Sequence, residues 1–132
     1  MKKNGFTLIE LLVVISLIGV LATLVIANMN SARERARDAT RKSDLRNIQT
    51  ALRLYYNDNG EYPIASVLPE WGTAWTPYMN ILPADPLVSQ SYVYVYTDSD
   101  DYTLKACLEN PSDDKGVADA TCTSGYKYEV KP

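Results

Sequence analysis

The sequence contains no histidine, which removes the commonest general base and the commonest zinc ligand in proteins. It also lacks a glycine-rich phosphate loop, a Gly-x-Ser-x-Gly turn and any paired-cysteine spacing typical of a metal site. These absences argue against acid–base, nucleophilic and zinc-dependent catalysis. We therefore predict that the protein is not an enzyme and carries no cofactor.

Cysteine is also scarce, with only Cys107 and Cys122 in the chain. The simplest interpretation is one disulfide bond between them, which places this part of the chain in an oxidising compartment outside the cytoplasm. The alternative is a pair of unbonded thiols in a reducing compartment.

A long apolar run stands close to the N-terminus. Leu11 to Ala27 carries no charge, and at 17 residues it reaches the lower end of the length needed to span a bilayer. Glu10 stands where the run begins, although a carboxylate is costly in a membrane helix. Three interpretations remain open: a processed filament helix, a plain membrane anchor, or a removable secretory signal peptide, whose apolar core is usually shorter.

Charge divides the rest of the chain into two parts of opposite sign. From Ser31 to Tyr56 seven bases stand against three acids, whereas from Asn57 onward four lysines stand against twelve acids. The basic part, which we call the stem, could bind anionic lipid or nucleic acid, but acids interrupt it and no aromatic residues lie between its bases. We expect its partners to be acidic groups on neighbouring copies of the protein.

Periodicity predicts an α+β fold. The stem lacks proline and glycine, and an apolar face recurs at helical spacing; its members are Leu45, Ile48, Leu52, Tyr55 and Tyr56. Asn57 to Gly60 should end this helix, and a proline-rich loop with Trp71 and Trp75 follows. We expect these tryptophans to anchor the loop; an exposed adhesive surface is the alternative. Alternating strands are predicted at Tyr92–Thr97, Tyr102–Cys107 and Tyr126–Val130, which form an antiparallel sheet against the helix.

Three segments carry a resemblance to a known family. Gly5-Phe6-Thr7-Leu8-Ile9-Glu10 before the apolar run, Asn59-Gly60-Glu61-Tyr62-Pro63 and Leu82-Pro83-Ala84-Asp85-Pro86 resemble the matching stretches of type IV pilins and type II secretion pseudopilins. The resemblance implies a lollipop-shaped subunit. It also implies the following divisions: a cleaved leader at 1–5, a transmembrane and filament-core helix at 6–30, an amphipathic basic helix at 31–57, and a head at 58–132.

The resemblance assigns roles to three residues near the N-terminus. A prepilin peptidase would cut after Gly5 and methylate the new terminal residue, Phe6. Glu10 would then pair with the Phe6 amine of a neighbouring copy and set the register of the filament. The chain departs from many members of the family at Ala27, where they have a proline.

The implied function is a structural subunit of a type IV pilus that serves adhesion, motility or DNA uptake. The alternatives are a pseudopilin of a type II secretion or competence system, and a membrane-tethered binding module that does not polymerise. The implied partners are other copies in a helical homopolymer, the peptidase, an inner-membrane assembly platform, an assembly ATPase and the membrane itself, with nucleic acid only for a DNA-uptake pilus. The precursor would cross the inner membrane once with its head outside, and the assembled filament would lie at the cell surface.

Calcium is the one metal that the resemblance raises. Carboxylates that could bind it stand in the C-terminal part of the chain, at Asp98, Asp100, Asp113, Asp114 and Asp119. Their spacing does not fit an EF-hand, because Tyr102 occupies the fifth position counted from Asp98. We expect a solvated acidic loop here and no metal site.

Overall fold

The computed structural model describes residues 5–113 and 115–132. In this part of the chain a single α-helix, α1 (Leu8–Asn59), precedes four β-strands: β1 (Val93–Asp98), β2 (Asp101–Cys107), β3 (Val117–Ala118) and β4 (Tyr126–Val130). The predicted α+β fold class is confirmed. Two compact units can be distinguished, of which the first ends at Arg33 and the second comprises Glu34–Pro132.

The first unit consists of the apolar part of α1 and the residues before it. The described side chains from Leu8 to Ile26 are all exposed, and they are leucine, isoleucine and valine for the most part. By length and composition this helix could cross a membrane. An apolar surface of this extent is unstable in water, so lipid or other protein must cover it.

The second unit is built on a four-stranded antiparallel sheet with the order β1-β2-β4-β3. Leu104 of β2 pairs with Tyr94 of β1 on one side and with Val130 of β4 on the other. The three predicted strands are present. β3 was not predicted, because two residues are too few to show an alternating pattern.

The core lies between the sheet and the second half of α1. Because β-strand side chains alternate between faces, Tyr102, Leu104 and Ala106 of β2 all point to the helix and are buried. From the helix the predicted apolar face meets them: Leu45, Ile48 and Leu52 are fully buried, while Tyr55 and Tyr56 are partly buried. The helical spacing of α1 and the alternation of β2 thus both identify the residues that meet between helix and sheet.

The loop after α1 is held by its aromatic residues. Gly60 ends the helix with a φ of 75°, a left-handed conformation that glycine adopts without strain. Trp75 is buried and stacks on Tyr55, and Trp71 packs edge-on against Tyr92. These contacts support the anchoring role predicted for both tryptophans over an adhesive surface.

One disulfide bond closes the C-terminal part of the chain. Cys107 at the end of β2 is bonded to Cys122, which precedes β4, across a sequence separation of 15. The predicted pairing is therefore present. The bond joins the end of β2 to the connection between β3 and β4.

Candidate functional site

The N-terminal candidate residues lie at the start of α1. Gly5, Phe6 and Thr7 precede the helix, and the Phe6 side chain is 82% exposed. Thr7 donates hydrogen bonds from its backbone N–H and its hydroxyl to Glu10 Oε2, at 2.9 and 2.7 Å. The Glu10 N–H donates back to the Thr7 hydroxyl oxygen at 3.3 Å. This reciprocal pattern is a capping box, which satisfies backbone donors at a helix N-terminus.

The capping box gives Glu10 a local role besides the one predicted for it. Its carboxylate occupies the third helical position, where it accepts hydrogen bonds and complements the positive end of the helix dipole. The sequence reasoning missed Thr7. The spacing Thr-x-x-Glu in front of an apolar run was the signal that could have revealed it.

A second group of polar residues lies inside the second unit, around Arg41. Its side chain is fully buried, and its guanidinium binds three carboxylates. Nε and Nη2 donate to Asp85 at 2.8 Å each, while Nη1 donates to Asp38 at 2.8 Å and to Glu109 at 2.6 Å. One side chain of α1 is thereby bound to the proline-rich loop and to the segment after β2.

Asp38 extends the same cluster to the backbone. Its carboxylate accepts the N–H groups of Glu109 and Asn110, at 2.9 and 2.8 Å. Arg37 binds Glu109 from the other side through two hydrogen bonds. Because buried charges are stable only when they are paired and hydrogen-bonded, this network fixes the helix relative to the sheet.

The ionisation of the cluster follows from these contacts. Burial alone would lower the pKa of Arg41, but its hydrogen bonds to Asp85, Glu109 and Asp38 outweigh burial and raise the pKa above its usual value. The hydrogen bond from Arg37, assisted by Arg41, lowers the pKa of Glu109 to about 2 against the opposing effect of burial. At neutral pH Arg41 and Glu109 are therefore charged, and their ion pair holds the helix to the segment after β2.

The cluster corrects one expectation about the basic stem. Arg37 and Arg41 bind acids of their own chain, and Lys42 forms an ion pair with Asp113. The expectation that stem bases pair with acids of neighbouring copies is wrong for these three, because the fold brings distant carboxylates to them. Arg35, Arg46 and Arg53 are different: each is exposed, and none has an ion pair within residues 5–113 and 115–132.

The candidate calcium ligands are dispersed. At the β1–β2 turn the Asp98 carboxylate accepts a hydrogen bond from the Asp100 N–H. The Asp100 carboxylate accepts one from the Tyr56 hydroxyl. Asp119 lies elsewhere, beside Lys105 and Lys127, and hydrogen bonds from Thr121, followed by that from Lys105, lower its pKa. Asp114 lies outside the described residues. Among those that are described, no three acidic or cysteine side chains form a group that could hold a metal ion.

Two protein-family models match this chain. Residues 1–26 match the model of the prokaryotic N-terminal methylation motif, and residues 28–119 match that of type II secretion system (T2SS) protein G. No solved structure matches significantly.

Several curated relatives bear the name type II secretion system core protein G. The one from Escherichia coli K12 is 38% identical over 97 residues, which cover 64% of this chain and 67% of the relative. Those from Pectobacterium carotovorum subsp. carotovorum and Aeromonas hydrophila are 42% and 40% identical over 62 residues. The matched part spans 40% and 43% of these two relatives, so it accounts for less than half of their length.

Proposed function

Because the chain belongs to the type II secretion system protein G family, we propose that it is a pseudopilin, a subunit that polymerises to drive secretion. The match of the protein G model to residues 28–119 carries this proposal, since it covers the stem and most of the sheet. It favours the secretion alternative over the type IV pilus subunit that was the main expectation from the sequence.

We propose that the precursor is processed after Gly5 and methylated at Phe6. The methylation motif matched over residues 1–26 supports this step. Gly5 and Phe6 lie outside the helix and are exposed, so a peptidase can bind them as an extended chain without unwinding α1. Residues 1–4 of the leader lie outside the described residues.

Glu10 is proposed to guide assembly. Cleavage creates a positive amine on Phe6, only four positions before Glu10. In a filament, Glu10 of one copy would bind the Phe6 amine of the next, which neutralises two charges that are costly in an apolar environment. The capping box supports this role, because it holds the Glu10 carboxylate at the helix start in a hydrogen-bonded form until an amine competes for it.

The exposed apolar part of α1 is proposed to have two successive environments. Lipid covers it in the precursor, which crosses the inner membrane once with its head outside the cytoplasm. Helices of other copies cover it in the filament. An inner-membrane assembly platform and an assembly ATPase would drive the transfer. The growing filament would then act as a piston on secreted proteins.

The proposal is tested in a strain that lacks its own protein G and depends on this chain for secretion. Mass spectrometry of the purified protein should find a mature chain that begins with N-methylated Phe6. Glu10→Leu should abolish filaments and secretion, whereas the matched change Glu70→Leu, at an exposed acid of the second unit, should not. A mature chain that begins after Ala27, or secretion unaffected by Glu10→Leu, would contradict the proposal.

A further inference from the structure

One exposed side of α1 in the second unit is positively charged, and its arginines have no ion pair with any described residue. Arg35, Arg46 and Arg53 stand 11 and 7 residues apart, intervals after which a helix returns to nearly the same side. All three are exposed, whereas the apolar residues Leu45, Ile48 and Leu52 occupy an adjoining, buried side of the helix. The three acids of this part of the helix do not neutralise the face, since Asp38 is buried and Glu34 and Asp44 are half-buried.

The same unit has an exposed acidic surface at the C-terminal end of the helix. We call it the acidic end; its members are Asp58, Glu61, Asp98 and Asp100. The Tyr62 N–H donates to the Ser99 carbonyl, and the Tyr56 hydroxyl donates to Asp100, so the β1–β2 turn is fixed beside the end of α1. In the part of the chain that the structure describes, none of the four acids has an ion pair.

The position of the acidic end is unfavourable for the subunit alone. The C-terminus of a helix carries a partial negative charge, so bases stabilise it and acids destabilise it. The last turn of α1 contains no base, and Asp58 lies in it. Asp98 and Asp100 accept hydrogen bonds, but no base among the described residues forms an ion pair with the four acids, and a partner of positive charge would supply one.

The two surfaces lie at different heights along the helix. Arg35 precedes the end of α1 at Asn59 by 24 residues, a distance of about 36 Å at ~1.5 Å per residue. The acidic end of one copy therefore reaches Arg35 and Arg46 of another copy when the second is displaced along the helix axis. Such a head-to-tail contact joins two different surfaces and repeats without limit, as a filament requires.

We propose that the acidic end of one copy binds the face formed by Arg35 and Arg46 on the next copy, as an axial contact between heads. This inference rests on the proposed function and adds a second contact to the one at Glu10. A second copy explains both unpaired surfaces at once, because the charges are complementary. A nucleic acid would explain only the arginines, and the twelve acids after Asn57 would repel it.

Charge reversal in the full-length chain tests the contact in the secretion-dependent strain. Arg35→Glu/Arg46→Glu should lower the amount of sheared filament by about tenfold, because like charges then face each other. Asp58→Lys/Glu61→Lys should have a similar effect, and neither side chain makes a hydrogen bond in the described structure. The combination of all four changes should restore filaments. The matched control is Lys115→Glu/Lys131→Glu, which alters the net charge equally at exposed sites outside the arginine face and the acidic end.

Each result has a definite meaning. If Arg35→Glu/Arg46→Glu assembles like the wild type, if the control loses filaments equally, or if the fourfold variant does not recover, the contact is disproved. If Arg35→Glu/Arg46→Glu forms normal filaments but loses DNA binding, the arginine face is a nucleic-acid site and the proposed contact is disproved. The proposed function is judged separately, since it fails if the mature chain begins after Ala27 or if Glu10→Leu leaves secretion unaffected.

Discussion

Arg41 and Asp85 form a two-pronged ion pair in which Nε and Nη2 of the guanidinium each donate to one carboxylate oxygen at 2.8 Å. Asp85 also accepts the Leu87 N–H, so the pair connects α1 directly to the backbone of the proline-rich loop. A planar guanidinium matches a carboxylate in this geometry, which a lysine cannot reproduce. The loop therefore depends on a helix residue 44 positions earlier in the chain.

Removing Arg41 should strongly destabilise the second unit. Arg41→Met leaves three buried or half-buried carboxylates without their cation, and breaking such a network costs about 3–5 kcal/mol. Urea unfolding of the full-length protein in detergent, followed by the fluorescence of Trp71 and Trp75, measures the loss. Arg46→Met is the control, because an exposed residue without an ion pair should change the free energy of unfolding by less than about 0.5 kcal/mol. Equal stability of the two variants would contradict the structural role of Arg41.

Glu109 should make stability depend on acid pH. Its pKa is lowered to about 2 in the folded protein by the Arg37 hydrogen bond, whereas an unfolded glutamate titrates near ~4.3. The folded state thus binds this proton less tightly, so the stabilisation is complete above about pH 4.5 and is lost as the pH falls towards about 2. Glu109→Gln should lower stability at pH 7 and flatten the decline in that window.

Urea midpoints at several pH values between 2 and 7 check this prediction. Glu70→Gln serves as the control, since Glu70 is exposed and its carboxylate makes no hydrogen bond in the described structure. A steep acid decline that persists unchanged in Glu109→Gln would show that other carboxylates cause it.

The disulfide bond should contribute substantially to the stability of the sheet. Cys107→Ser/Cys122→Ser removes the link between β2 and the connection from β3 to β4, and loss of such a bond from a small domain costs about 2–5 kcal/mol. Unfolding of the wild type after reduction should shift by a similar amount, and the double serine variant should not respond to reductant. A wild type whose unfolding does not change on reduction would refute the prediction.

The capping box should stabilise the first turn of α1. Thr7→Val keeps the branched shape but removes the hydroxyl that accepts the Glu10 N–H and donates to the Glu10 carboxylate. Loss of a cap costs about 1 kcal/mol, so amide hydrogen exchange in the first turn should become about fivefold faster in micelles. Thr7→Ser, which keeps the hydroxyl, should exchange at the wild-type rate. Identical exchange in Thr7→Val and Thr7→Ser would exclude this role of the hydroxyl.

Local periodicity predicted the framework of the fold. The apolar face from Leu45 to Leu52 and the alternation in Tyr102, Leu104 and Ala106 each identify the residues that meet in the core, because helix and strand spacing alone decides which side chains share a face. The motif at Gly5 to Glu10 led, by resemblance and not by periodicity, to the proposal that this segment is processed.

The charged cluster could not be predicted from pattern. Arg41, Asp38, Asp85 and Glu109 look like surface residues in the sequence, and only the tertiary fold brings positions 41, 85 and 109 together. Helical spacing places Asp38 and Arg41 on the side of Leu45 and Ile48, but it does not show which carboxylates elsewhere in the chain bind them. The stem bases therefore looked equally available to neighbouring copies, although the fold pairs three of the seven internally.

The strand order has a consequence for how the protein is made. β4 is the last strand in the chain but an inner strand of the sheet, where it pairs with both β2 and β3. The hairpin of β1 and β2 can form early, but the sheet stays open on one side until β4 has been synthesised. In the proposed topology α1 enters the membrane first, so the head would cross as an incomplete chain and close on the far side. Folding of the head is thereby tied to the end of translocation, and only a fully delivered subunit is complete.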